Sequence, residues 1–400
     1  MGGEKMQADF HYYATYCAAF LAGCPHEESL LIAYCSQLTD CCTRSFLKEL
    51  KAPLSAATTQ NQTELMDAPM DLLGLQEITR IWSSFHFLPR DLYAKAPEGS
   101  PGFYRNKYRL ICGPNGELLL DTVHLAKGKG PEAAGLAMHI LADTWAHRYF
   151  AGTPSLVINN TNYAFEELLT VNGNEIFRPL KFRHSPSLKD DIEQGIYVNT
   201  LYQTSESTVM NLGHGRAGHL PDYSFIRYRY MPAWGRYTLI TKDNPHDYRL
   251  AFCQMVHALK FLNGNTESFI RGFYDFEALK GYEETVSRIL CRRQTDASAD
   301  WKAFGESLSG QAIPDFDESG YREEYLSADA GGKDGTVLGR YILAALAQKS
   351  MVTNKIARSK NPLAGISVEY DGKKLPGIRD YLKLIRISER GKNDKVAKNP

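Results

Sequence analysis

The stretch PEAAGLAMHILADTWAHRYF, residues 131–150, constrains the fold of this chain more than any other. Pro131 is suited to a first helical position, and Gly152 follows the run closely enough to end it. Within it His139, Asp143 and His147 recur at i, i+4 and i+8. Four residues overshoot one helical turn by only about 40°, so all three project along one face. The flanking Ala, Leu, Met and Trp residues predict that this face is buried, and buried Asp and His need partners or a metal. Imidazole nitrogen and carboxylate oxygen are donors that zinc and similar cations prefer. The plainer alternative is a core histidine beside a surface ion pair.

The rest of the chain supplies more donors of the same kind. Asp9 and His11 open an aromatic-rich segment, Asp40 lies in QLTDCC, His86 in FHFLP, and His214, His219 and Asp222 in GHGRAGHLPD. Each has a mundane reading alone: a core histidine, a helix-end cap, a turn residue before proline, a glycine-rich connection.

Around these residues the pattern is mainly helical. Helices are predicted over 10–22, from Pro25 to about Cys42, and near 75–84, 131–150, 245–262, 266–292 and 335–350. YRLICGPNGELLLDTV predicts a β-hairpin turning at Pro114-Asn115-Gly116. FIRYRYM is strand-like and pairs in this reading with GRYTLIT at 235–241, whereas 153–210 carries no strong period. The expected organisation is a helical metal-binding catalytic domain over 6–265, a helical extension over 266–353 packed on it, and a polar tail over 354–400.

The order of motifs resembles that of the zinc-dependent phospholipase C and single-strand nuclease superfamily, as a bacterial branch of it. The shared order is a His in the first helix, an Asp closing the second, and a single His before the helix with His-x3-Asp and a following His. A downstream His with a carboxylate close behind completes it. The resemblance implies a multi-helix fold with small β-hairpin insertions, two or three zinc ions, and an Asp shared between two of them; iron or manganese are the alternative metals. Carried onto this chain, it implies one site of Asp40, His86, His139 and Asp143. A second would use His147 with His219 and Asp222, or with His214 instead, and a third His11 with the shared Asp143. The superfamily completes its third site with a processed N-terminal Trp; none stands just before His11, and Asp9 is expected in its place. Asp143 and His147 are also closer together than in the superfamily's common pattern, and the likeness runs only from about residue 9 to 225.

The implied activity is metal-dependent hydrolysis of a phosphate ester, a phospholipid head group, nucleotide or small diester, with Asp40 or Asp143 handling the proton. Two other classes fit the same donors: an oxygen-activating non-haem iron enzyme, and a binding protein whose metals only staple helices. Lysine plus arginine equal aspartate plus glutamate at 46 each, so charge forecasts neither nucleic acid nor an anionic membrane as partner. Arg227 and Arg229 among aromatics, and Arg148 beside His147, are the local exceptions.

Compartment turns on the first 24 residues. Leu21-Ala22-Gly23-Cys24 resembles a lipoprotein cleavage site, but Glu4 and Asp9 offset Lys5, and Tyr12, Tyr13 and Tyr16 interrupt the apolar run. Cleavage would also discard Asp9 and His11. The expectation is therefore a cytoplasmic chain that keeps this segment, with lipid anchoring at Cys24 as the alternative. The eight cysteines lack a scaffold spacing and read as reduced core thiols.

Overall fold

A helix apolar on every side must be enclosed on every side, and residues 131–146 meet that condition. In the computed structural model, which describes residues 8–365 except 70, 162–163, 185–187 and 200–204, together with 369–370 and 373–374, every side chain from Glu132 to Ala146 is buried. The principal helices are α1 (Thr15–Leu21), α2 (His26–Cys41), α3 (Leu72–Phe85), α4 (Gly102–Tyr108), α5 (Glu117–Ala126), α6 (Pro131–Ala146), α7 (Asn244–Leu262), α8 (Glu283–Cys291), α9 (Ser298–Ser309) and α10 (Val337–Arg358). The fold is mainly α, as the periodicity predicts.

Helices α2 and α6 meet backbone to backbone. A Cβ on Gly135 would stand 2.3 Å from the Ile32 carbonyl oxygen and 2.7 Å from the Cys35 Cβ, so only glycine permits the approach. Ahead of α1, Asp9–Ala14 forms a π turn in which the Thr15 amide donates to the Phe10 carbonyl, and Phe10, Tyr12, Tyr13, Tyr16 and Cys17 are all buried. Cys24 is itself buried and lies beside the Asn263 amide. Most of segment 9–24 is thus packed into the core.

Helices α9 and α10 join the same apolar cluster through Trp301, Tyr341, Ala345 and Val352. Helix α10 continues to Arg358, into the segment read as polar tail; beyond 374 that tail lies outside the described residues. All eight cysteines are free thiols, Cys291 exposed and Cys41 half-buried. Among the described residues no helix is long and apolar enough to cross a membrane.

Two expectations are corrected. Residues 108–123 are not a hairpin: Pro114-Asn115-Gly116 leads into α5, and only isolated bridges, Pro89 to Cys112 and Ile111 to Ala151, remain. In ELLLDTVHLA the residues Leu119, Val123 and Ala126, with Leu118 and Thr122, fall on one buried helical stripe, and that period overrides the turn signal. Residues 266–292 are not one helix either. Gly272 and Gly281, at φ of 81° and 86°, interrupt it, leaving a short 3-10 turn and α8.

The β structure meets the C-terminal end of α6, where Lys242 donates to the Trp145 carbonyl. Strands β1 (Glu166–Val171) and β2 (Asn174–Pro179) turn at Asn172-Gly173, both at positive φ; β3 (Lys181–Arg183) and β4 (Ile196–Val198) pair in parallel; β5 (Arg227–Tyr230) pairs antiparallel with β6 (Ile240–Asp243). The larger sheet runs β2-β1-β5-β6. The pairing of 227–230 with a following strand was expected at 235–241 and occurs at 240–243. Phe87, Phe150, Tyr228 and Tyr230 form a second apolar cluster under this sheet.

Gly135→Ala is expected to lower stability by about 2 kcal/mol, since a methyl forced against the α2 backbone is an overpacking defect. A thermal melt unchanged from wild type would show that α2 and α6 separate without cost.

Candidate metal centre

Five segments converge beside the middle of α6. Helix α6 supplies His139 and Asp143, and His147 caps its C-terminal end. Asp40 comes from the last turn of α2, His86 from the C-cap of α3, His11 from the π turn, and His214 and Asp222 from the glycine-rich loop. That loop follows its path because Gly218, at φ 57°, passes against β4; a Cβ there would lie 2.1 Å from the Val198 carbonyl oxygen.

The first group is Asp40, His86, His139 and Asp143. His139 Nε2, His86 Nδ1 and Asp143 Oδ2 stand 3.1 to 3.2 Å apart, and Asp40 Oδ1 lies 3.8 Å from each imidazole nitrogen. Four donors at about 2.1 Å from one ion would be spaced roughly 3.4 Å apart, inside this spread. The histidine tautomer sharpens the point. His86 Nε2 donates to the Thr58 carbonyl at 3.1 Å, so in the neutral ring Nδ1 is the bare nitrogen, and it faces Asp143 and His139. Asp40 Oδ2 and His139 Nδ1 are buried without a partner. Converging lone pairs and orphaned polar atoms of this kind call for a cation.

The second group repeats the device. His147 Nδ1 donates to the His86 carbonyl and His214 Nδ1 to the Gly218 carbonyl, both at 2.8 Å. Their Nε2 atoms face the two oxygens of Asp222 at 3.1 and 3.5 Å. His11 Nε2 reaches Asp143 Oδ1 at 3.2 Å while its ring stacks on His139 at 4.0 Å. Asp143 therefore uses one oxygen toward His86 and His139 and the other toward His11. In three groups, His11 with Asp40 and His139, His86 with His139 and Asp143, and His147 with His214 and Asp222, the ligand atoms all lie within 4.8 Å of one another, which makes each a candidate metal site.

Electrostatics follows the same lines. Burial works against the charge of Asp143, but His147, His139 and His11 outweigh it and hold the carboxyl well below its ordinary range. Burial also opposes a charged His147, yet Asp143 and Asp222 carry it up to about 9. His139, desolvated and beside His11, falls to about 4. Without a cation, a proton on His147 takes up part of the excess negative charge.

Two expected ligands are not brought in. Asp9 accepts the Phe10 amide at 2.7 Å and the Ala297 amide at 3.2 Å, so it fastens the approach to α9, and burial pushes it up to about 6. A third site completed by Asp9 does not form; its backbone partners claim both oxygens. His219 Nδ1 pairs instead with Asp190 at 3.2 Å, and His214 takes the place beside Asp222. Asp190, which also accepts Tyr223 Oη and the Val198 amide, has no motif that marks it in the sequence. Nor do Thr58 and Gly218, which act through backbone oxygens. Arg148 pairs with Asp247 at 2.9 Å, and the buried Lys242 bridges Asp247 and the Trp145 carbonyl.

Residues 6–356 match the model of DUF6765, a family of unknown function. The chain belongs to the DUF6765 family. The match takes in every residue of the two groups and most of α10. No curated protein and no solved structure matches the chain. Family membership thus extends over the whole described helical core while leaving the chemistry to be read from the site.

Asp143→Asn is expected to remove more metal than Asp222→Asn, because Asp143 serves both His86 with His139 and His11, whereas Asp222 serves one group. Elemental analysis of both variants decides this; full metal content in Asp143→Asn would overturn the shared role. Stability of the metal-free protein should also depend on pH. The contribution of His147, raised in the fold, is complete below about pH 6.5 and lost as pH rises through 9. That of His139, lowered in the fold, is present above about pH 6.5 and lost as pH falls toward 4. The metal-free melting temperature should peak near pH 6.5, and zinc should raise it more at about pH 8.5 than at about pH 6, where it competes with the His147 proton.

Proposed function

We propose that the protein is a metal-dependent hydrolase that cleaves a phosphate ester, with zinc as the metal and two ions as the working number. The observation that carries this reading is the gradient of exposure across the centre. His86 and His139 are sealed at 1% and 0%, while His11, Asp222 and His214 open to 11%, 13% and 16%. Structural sites are closed on all sides, whereas a site with one accessible edge can admit substrate. The donor set, imidazole and carboxylate without thiolate, suits a borderline or hard divalent ion. Cys112, whose Sγ lies 4.0 Å from the Asp143 carbonyl, is held protonated by burial and does not compete.

Bound divalent ions would supply a water activated near neutral pH and positive charge opposite the phosphoryl oxygens. The protein's part is to hold the two groups in fixed relation through Asp143 and the His86–His147 backbone contact. Asp40 Oδ2, buried and without a partner, is placed to accept the proton released when a water is activated. The order of ligands along the chain supports a kinship with the zinc-dependent phospholipase C and nuclease superfamily. Eight unpaired cysteines suit a reducing compartment, which supports a cytoplasmic location.

Protein purified without chelator is expected to carry at least two equivalents of zinc and to hydrolyse bis(p-nitrophenyl) phosphate. Chelation should abolish turnover and zinc restore it, and Asp143→Asn should lower kcat/KM by more than about 100-fold. Iron-bound, oxygen-consuming protein without diesterase activity would replace this reading with the oxygen-activating one. Tightly held metal with no turnover on phosphatidylcholine, single-stranded DNA or the aryl diester would favour a structural role.

A further inference from the structure

Helix α10 lies outside the segment that resembles any metal-binding pattern, yet its polar side chains reach the chain around the first group at three points, one through threonine hydroxyls and two through backbone carbonyls. Tyr341 Oη donates to Thr39 Oγ1 at 3.1 Å and stands 3.5 Å from Thr58 Oγ1. Thr58 Oγ1 donates in turn to the Thr39 carbonyl at 2.7 Å, and the Thr58 amide to the Cys42 carbonyl at 3.0 Å. Thr39 precedes Asp40, and the Thr58 carbonyl is the acceptor that fixes the His86 tautomer. Seven residues on from Tyr341, Gln348 Nε2 donates to the Ser84 carbonyl at 3.2 Å and to Thr122 Oγ1 at 2.9 Å; Ser84 lies two residues before His86. Lys349 Nζ donates to the Ala57 carbonyl at 3.1 Å, next to Thr58. Tyr341 and Gln348 are both buried, and a spacing of seven puts them on one helix face.

These contacts fall where the first group is held and leave the second untouched: none of them reaches His147, His214 or Asp222. Apolar packing alone would secure α10, since Val337, Leu338, Ala345, Met351, Val352 and Ile356 are all buried. A buried tyrosine hydroxyl and a buried glutamine amide add nothing to that packing, and each must be matched by an acceptor to avoid a desolvation cost. Their acceptors are the chain segments whose position sets Asp40 Oδ1 and His86 Nδ1.

We infer that Tyr341 and Gln348 of α10 are positioning residues for the Asp40–His86–His139–Asp143 group, tuning metal affinity there and not at His147–His214–Asp222; the inference rests on the metal-centre reading above. Partners bonded directly to a ligand contribute about 10- to 100-fold to affinity, and these contacts, one step further out, act below that range.

The test is competitive zinc titration of the full-length protein against a chromophoric chelator, with cobalt(II) absorption spectra as a second readout. Tyr341→Phe and Gln348→Leu should each weaken one of two zinc equivalents by up to about 10-fold, leave the other unchanged, and alter the cobalt ligand-field bands. The control is Tyr34→Phe, which removes from α2 a buried hydroxyl that has no partner; it should leave both affinities at wild-type values. If Tyr341→Phe and Gln348→Leu lower the melting temperature of the metal-free protein but bind both equivalents as wild type does, the residues only hold the fold and the inference falls. An equal loss at both sites also overturns it. Wild-type protein that takes up no metal overturns the metal-centre reading and this inference together, whereas normal wild-type uptake with unaltered variants overturns the inference alone.

Discussion

Lone pairs aimed at one another in a sealed space are the constraint around which this molecule is built. Nearer the surface His147 and His214 face the two oxygens of Asp222, and in the sealed part His86 Nδ1, His139 Nε2, Asp143 Oδ2 and Asp40 Oδ1 converge on a volume closed off from water. Such an arrangement is repulsive unless positive charge lies inside it. Much of the surrounding architecture keeps it from relaxing. Gly135 lets α2 come near enough for Asp40 to reach α6, Gly218 turns His214 inward, and three backbone carbonyls pin the rings.

The two groups also sit in different surroundings. The first is embedded in the helical core, whose apolar cluster runs from the first turn of the chain to α10. The second lies where that core meets the aromatic cluster under the sheet: Phe87 stacks on His147 at 4.6 Å and Phe150 approaches His214 edge-on at 6.0 Å. His214 and Asp222, the ligands nearest solvent, lie at this seam, so the boundary between the two packing units is also the most accessible edge of the centre.

Much of this was legible in the sequence, for a physical reason. A helix fixes the spacing of its side chains whatever surrounds it, so the face shared by His139, Asp143 and His147 follows from their numbers alone. Asp40, His86, His11, His214 and Asp222 were recognisable as donors, but which of them meet depends on long-range packing. Asp9 failed because an amide nearly three hundred residues away, that of Ala297, claims its carboxylate. His219 lost its place to His214 because Asp190, unmarked by any motif, holds its ring. At 108–123 the turn dipeptide drew attention from a helical period, while Asn172-Gly173, an equally short signal, marks the real hairpin. Outer contacts made by backbone oxygens, such as those of Thr58 and Gly218, leave no trace in residue identity.

The π turn at Asp9–Ala14 makes the geometry of the centre depend on chain length as well as composition. A π turn is an α-helical turn carrying one residue more than the ladder needs. Excising any single residue between His11 and Thr15 would let the segment close into ordinary α-helix, with α1 still seated through Tyr16, Cys17 and Ala18. The turn absorbs its extra residue locally, so the flanking helix would keep its face, and what the excision alters is the local path that sets the His11 imidazole 3.2 Å from Asp143. A one-residue deletion, conservative in hydrophobicity and helix propensity alike, would thus act on the placement of one ligand while leaving the packing of α1 as it is.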